Sequence, residues 1–184
     1  MGRTLTIKKG GPSPYSEGWH TVTISSAEYG EWEGNEGPVK YLDVYFDGYS
    51  DKMNLRVYAK TNKDGEEFAI GKVFRFANAG ITDALDDGEG NMLVKMDDNP
   101  DLLQGKQVNI FLYKDGEYSR VLKEIAPVPF KNILEEFTDK DVDFWKGKAL
   151  QYFDKFVKVR ITTNEVIEEV EMEDLTKAAN NMPF

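Results

Sequence analysis

Residues 39–60 read VKYLDVYFDGYSDKMNLRVYAK. In the first half Leu42, Val44 and Phe46 alternate with Tyr41, Asp43 and Tyr45. In the second half Met53, Leu55 and Val57 alternate with Lys52, Asn54, Arg56 and Tyr58. A period of two puts one set on a buried face and the other on a wet one, as in a strand of a half-covered sheet. Gly48-Tyr49-Ser50-Asp51 lies between the halves and supplies the turn of a hairpin.

Upstream, residues 19–26 (WHTVTISS) are rich in β-formers, with Val22 and Ile24 on one side. They predict a first strand, followed by a loop in which Trp32 sits among Glu28, Glu31 and Glu33. Residues 1–18 predict a basic arm, since Lys8-Lys9-Gly10-Gly11-Pro12-Ser13-Pro14 is made of cations, turn formers and breakers. Downstream, residues 71–85 place Phe74, Ala77, Ile81 and Leu85 at helical spacing. A loop at residues 86–91 follows. Residues 107–113 bury Val108, Ile110 and Leu112 and turn Phe111 and Tyr113 the other way. Lys114-Asp115-Gly116-Glu117 is a hairpin turn, because Asp-Gly accepts the positive φ a tight turn requires. Residues 118–125 return as the last strand, and Pro127 and Pro129 end the ladder.

The order is three strands, a helix, then two strands. That order predicts a mainly β protein, a five-stranded OB-fold barrel with one helix between its third and fourth strands. An immunoglobulin-like sandwich wants about seven strands and no such helix. The expected organisation is an arm at 1–18, the barrel at 19–126, a helical appendage at 127–163 and an acidic tail at 164–184. In the appendage Thr138 and Asp141 have the spacing of a capping box. Val142, Trp145, Ala149, Tyr152, Phe153 and Phe156 share a helical face that covers the barrel or builds a homodimer. Residues 158–172 read either as a hairpin turning near Asn164 or as a fraying helix.

Composition narrows the chemistry. The 184 residues contain no cysteine and one histidine, His20. Disulfides, thiolate catalysis and Cys-ligated zinc are excluded, and a single His suits a half-buried strand position better than a relay or a metal site. No phosphate-binding loop, dinucleotide fingerprint or zinc-protease motif occurs. The reading is of a non-enzyme that requires no cofactor or metal. No apolar run is long enough to span a membrane and no signal peptide opens the chain. The expected compartment is the cytoplasm, or the host cytoplasm if the chain is phage-encoded. Net charge is −10. Residues 1–126 carry 21 acids against 15 bases, and residues 164–184 carry six acids against one base. A nucleic-acid face must therefore gather its cations locally.

Binding a single strand calls for cations along the backbone path and flat rings on which bases stack. The wet faces of the second and third strands offer Tyr41, Tyr45 and Tyr58 as rings and Lys52, Arg56 and Lys60 as cations, with Asp43 opposing them on the same face. Phe111, Tyr113 and Arg120 form a second set on the last hairpin, beside Tyr118. At the other end, Glu165, Glu168, Glu169, Glu171, Glu173 and Asp174 precede Met182-Pro183-Phe184. A terminal ring and carboxylate suit capture by a partner's pocket.

Residues 19–126 look like the OB-fold single-stranded DNA-binding proteins of tailed phages. The resembling stretches are Gly18-Trp19, Val39-Lys40-Tyr41-Leu42, the helix opening at Gly71, and Leu103-Gln104-Gly105-Lys106 through Arg120-Val121. The tail resembles that of bacterial single-stranded DNA-binding proteins, although Lys177-Ala178-Ala179-Asn180-Asn181 separates its acids from its tip. These resemblances imply sequence-tolerant binding of single-stranded DNA in replication, recombination or repair. They also imply recruitment of replication or recombination enzymes through Met182, Pro183 and Phe184. The alternative is an OB-fold protein-interaction module that binds no nucleic acid.

Overall fold

The computed structural model describes residues 2–5 and 15–180. Lys8–Pro14 of the expected arm and the tip Met182-Pro183-Phe184 lie outside the described residues. The chain is mainly β with a C-terminal helix. β1 (Gly18–Gly34), β2 (Gly37–Phe46), β3 (Leu55–Tyr58), β6 (Gln107–Asp115) and β7 (Tyr118–Val121) make one antiparallel sheet in the order β3-β2-β1-β6-β7. β3 and β7 are its two edges, and among the described residues no ladder joins them into a closed barrel.

β1 organises this sheet by serving two neighbours. Its first part, from Gly18 to Thr23, pairs with β6. From Ile24 to Gly34 it pairs with β2, and the register shifts between Ile24 and Ser26. A bulge at such a switch bends the strand and re-aims its side chains. β1 is thus much longer than the strand expected at 19–26. Trp32 lies within it opposite Val39, not in a loop, and Asn35-Glu36 makes the hairpin turn. Ala27–Gly34 has weak β-propensity, and pairing with the strongly alternating β2 overrides it.

The alternation in the sequence is realised on the inner face. Val22, Ile24, Leu42, Val44, Phe46, Leu55, Val57, Val108, Ile110 and Leu112 are all buried there. Met53 is buried too, but from a 3-10 turn over Asp51–Met53 that precedes β3. α1 (Ala69–Phe76) closes this core with Ile70, Val73, Phe74 and Phe76. Each such side chain contributes about 1.5–3 kcal/mol when fully buried. The helix starts two residues earlier than expected because Glu67 accepts the amide N–H groups of Ala69, Ile70 and Gly71 at 3.1, 2.6 and 3.1 Å. That carboxylate satisfies donors a helix leaves open and complements its positive end.

The helix also ends early. Asn78 has φ 52° and Gly80 φ 73°, both incompatible with continuing a right-handed helix. A Cβ on Gly80 would sit 2.1 Å from the carbonyl oxygen of Asp97. Residues 81–85, expected as the end of the helix, instead open β4 (Ile81–Asp86), which pairs with β5 (Met92–Met96) in a separate hairpin. The loop expected at 86–91 is its turn.

The core continues past Ala126. Asn109, 3% exposed, donates its side-chain amide to the carbonyl of Pro127 at 2.9 Å and accepts the Thr21 hydroxyl at 2.6 Å. β8 (Phe130–Lys131) and β9 (Glu136–Phe137) form a small hairpin. Its Phe137 ring meets Phe76 at a centroid distance of 5.7 Å. α2 (Asp139–Tyr152) then begins with the expected capping box: the Thr138 hydroxyl accepts the Asp141 amide, and the Asp141 carboxylate accepts the Thr138 amide. α2 leads through a π-helical segment (Phe153–Lys158) into α3 (Val159–Asn180), so residues 158–172 are helix and not a hairpin.

The π-helical segment explains which face is covered. Ala149, Phe153, Val157 and Ile161 fall at steps of four and join one cluster with Tyr113 and Leu122. An ideal α-helix drifts by about 40° with each step of four, and the widened turn removes that drift. Phe156, expected on the covered face, is 55% exposed. No helix among the described residues is long and apolar enough to cross a membrane.

Candidate nucleic-acid interface

The outer faces of β3 and β7 meet across a groove. On the β3 side Lys52, Asn54 and Arg56 line it. On the other side stand Ser119, Arg120 and Val121 of β7, then Lys123, with Arg160 and Asn164 from α3. The groove encloses about 740 Å³. Five cations line it (Lys52, Arg56, Arg120, Lys123 and Arg160) against one carboxylate, Asp115. Lys123 is shared with a smaller adjoining hollow, where Lys60, Lys72, Tyr58, Phe68 and Tyr152 meet one carboxylate, Glu124. Together these surfaces bring seven cations against two carboxylates in a chain of net charge −10.

Several of these cations already have partners. Arg56 is bound by Asp43 at 2.8 and 2.7 Å, and its guanidinium lies 3.9 Å over the Tyr41 ring. Asp43 therefore holds the Arg56 guanidinium well above its ordinary pKa, despite an opposing desolvation cost. Lys72 is paired with Glu124, and Arg120 with Asp115. Lys52, Lys60 and Lys123 make no ion pair among the described residues. The Lys123 ammonium sits 5.1 Å over the Tyr58 ring, a cation–π contact that leaves its charge on the groove.

The expected residues divide sharply. Lys52, Arg56 and Arg120 come together in the groove, and Tyr58 and Lys60 in the adjoining hollow. Tyr41 stands edge-on to Tyr58, at 6.0 Å between centroids. It packs against Gly30 of β1, where a Cβ would fall 2.3 Å from the ring. With Arg56 over it, the ring holds the sheet together and does not stand free. Tyr45 lies apart and donates its hydroxyl to Glu28 at 3.1 Å. Burial first, then Glu28, Asp43 and Asp51, push its phenol upward. That acidic setting opposes a phosphate path.

The second expected set divides as well: Tyr113 and Arg120 line the groove, and Phe111 does not. Phe111 and Tyr113 do lie opposite the core face, but the C-terminal helix covers them. Phe153 packs on both rings, at 5.3 and 5.4 Å, and Trp19 on Phe111 at 5.4 Å. Tyr113 is 8% exposed. Phe111 is packed between Trp19 and Phe153, whereas Tyr113, although largely buried, still lines the groove. Tyr118, at the tip of the same hairpin, is 71% exposed with the Arg120 guanidinium 5.9 Å from its ring.

Lys72, Lys123, Arg160 and Asn164 carry no signal in the alternation of the sequence. They come from a helix, the chain after β7 and the distant α3, and only the tertiary fold assembles them. Among the described residues, no cluster of three or more His, Cys, Asp or Glu side chains is arranged to hold a metal ion. No protein-family model, curated protein or solved structure matches this chain.

Proposed function

We propose that this chain is a non-enzymatic, sequence-tolerant single-stranded DNA-binding protein of OB type, acting in replication, recombination or repair. One observation carries the reading: the cationic groove between the β3 and β7 edges, in a protein whose overall charge repels polyanions. The sheet order supports the OB assignment. β1 is shared between β2 and β6, α1 follows the third strand, and β3 and β7, which would close such a barrel, face each other across the groove. The β4–β5 hairpin is then an insertion after the helix. Tyr58, in the hollow that adjoins the groove, is the ring placed to stack a base. A stacked base contributes about 1–3 kcal/mol, and the cations of the groove add electrostatic attraction.

A salt series of fluorescence anisotropy on labelled oligo-dT tests this. Counterion release requires binding that weakens linearly in log K against log salt. Absence of binding at low salt removes the reading. It would leave the protein-interaction alternative, which the exposed apolar side chains Phe68, Leu85, Met92, Leu93 and Ile133 around α1 and the β4–β5 hairpin favour.

A further inference from the structure

Asp115 ends β6 at the hairpin tip. Its Oδ2 accepts Nε–H of Arg120 at 3.0 Å and lies 3.8 Å from a terminal nitrogen of Arg160. Arg120 belongs to β7, and Arg160 to the first turn of α3, forty positions later. The Arg120 and Arg160 side chains are 52% and 58% exposed, whereas that of Asp115 is only 26% exposed. One acid thus hydrogen-bonds one cation, lies within ion-pair distance of a second, and neutralises a single charge. A guanidinium carries five N–H donors in a planar fork, and a single shared oxygen occupies few of them. Both arginines line the groove, with Lys52 and Lys123. Asn164, one helical turn beyond Arg160, lines the same surface.

We propose that Arg120 and Arg160 form a clamp for one phosphodiester of single-stranded DNA, with Asp115 as the positioning residue. The C-terminal helix is then a wall of the binding site and not only a cover for Phe111 and Tyr113. The proposal rests on the DNA-binding reading above. Paired guanidiniums suit it chemically, because their forks match phosphate oxygens bidentately. The next turn of α3 reverses sign: Glu165 and Glu168 line the adjoining hollow with Tyr118 and Asp115. The clamp is therefore the last cationic station before an acidic stretch, which places one end of the strand's path here.

The competing reading is a structural brace that pins α3 to the hairpin and touches no ligand. The experiment uses the full chain, labelled oligo-dT and a salt series, with far-UV circular dichroism and thermal melting alongside. Arg160→Gln is expected to weaken binding roughly tenfold at low salt and to lower the salt slope by about 0.7, one phosphate contact on a single strand. Arg160→Lys restores the slope but not the full affinity, since a point charge lacks the fork. Asn164→Asp keeps both arginines and the brace and adds an anion at the clamp; it too is expected to weaken binding. It keeps the test decisive if Arg160→Gln unfolds. If the unaltered protein binds while Arg160→Gln or Asn164→Asp binds with the same affinity and slope, the clamp is overturned even where the melting temperature falls. If the unaltered protein does not bind, the DNA reading itself fails and the clamp falls with it.

Discussion

Arg56 holds Asp43 by two parallel hydrogen bonds of 2.8 and 2.7 Å, and Asp43 is 4% exposed while the Arg56 side chain is 42% exposed. The buried acid depends on the more exposed base. Among the described residues, Arg56→Ala leaves Asp43 with only the Asn54 amide at 3.1 Å. Such a stranded charge costs about 2–3 kcal/mol, less than a fully buried pair because water reaches the guanidinium side. Asp43→Asn strands no buried charge and is expected to cost only about 1 kcal/mol. Urea unfolding midpoints compare the two variants, and the reverse order contradicts this account of the pair.

The step-of-four ridge through the π-helical segment makes a prediction that a regular helix does not. Val157 is 8% exposed and Phe156 55% exposed. Val157→Ala removes two buried carbons, at about 1.5 kcal/mol. Phe156→Ala alters an exposed ring and is expected to change stability by about 0.5 kcal/mol or less. Thermal denaturation of the two variants decides. A larger loss at Phe156 would mean that α2 and α3 meet the sheet in a different phase.

The α2 cap depends on pH in a defined direction. The Thr138 amide, then its hydroxyl, hold the Asp141 carboxyl below its usual range. A depressed native pKa stabilises the fold above the unfolded value, about 3.9, and that stabilisation is lost as pH falls through the native value. Asp141→Asn should therefore melt below the unaltered protein at neutral pH, and the gap should close on acidification below the ordinary carboxylate range. A gap that stays constant down to strong acid would show that the carboxylate charge contributes nothing to the cap.

The parts of this fold that could be read from the chain are those where one face is wholly buried. Leu42, Val44 and Phe46, then Leu55 and Val57, then Val108, Ile110 and Leu112 alternate because the sheet has one inner side, and a period of two survives in the letters. The β4–β5 hairpin was hidden because Phe74, Ala77, Ile81 and Leu85 fit a helix equally well. What stops the helix is the approach of the Asp97 carbonyl to Gly80, a contact between distant residues. The site was half legible for the same reason. Lys52, Arg56, Tyr58 and Lys60 lie on one alternating stretch, whereas Lys123 and Arg160 reach the groove through a loop and a helix whose phase a single π-helical turn sets. Phe111 and Tyr113 lie on the face that alternation predicts, but alternation does not show that the C-terminal helix packs there.

If the groove between β3 and β7 receives the strand, reversing a charge inside it must weaken binding more than reversing one elsewhere. Lys123 is exposed, makes no ion pair among the described residues and lines both cationic surfaces, whereas Lys95 is exposed on β5 and lines neither. The measurement is the oligo-dT dissociation constant of Lys123→Glu and of Lys95→Glu at one low salt concentration. The two proteins carry the same net charge, so repulsion by the whole molecule cancels. Lys123→Glu is expected to bind at least tenfold more weakly than Lys95→Glu; equal affinities would rule out the groove as the path of the strand.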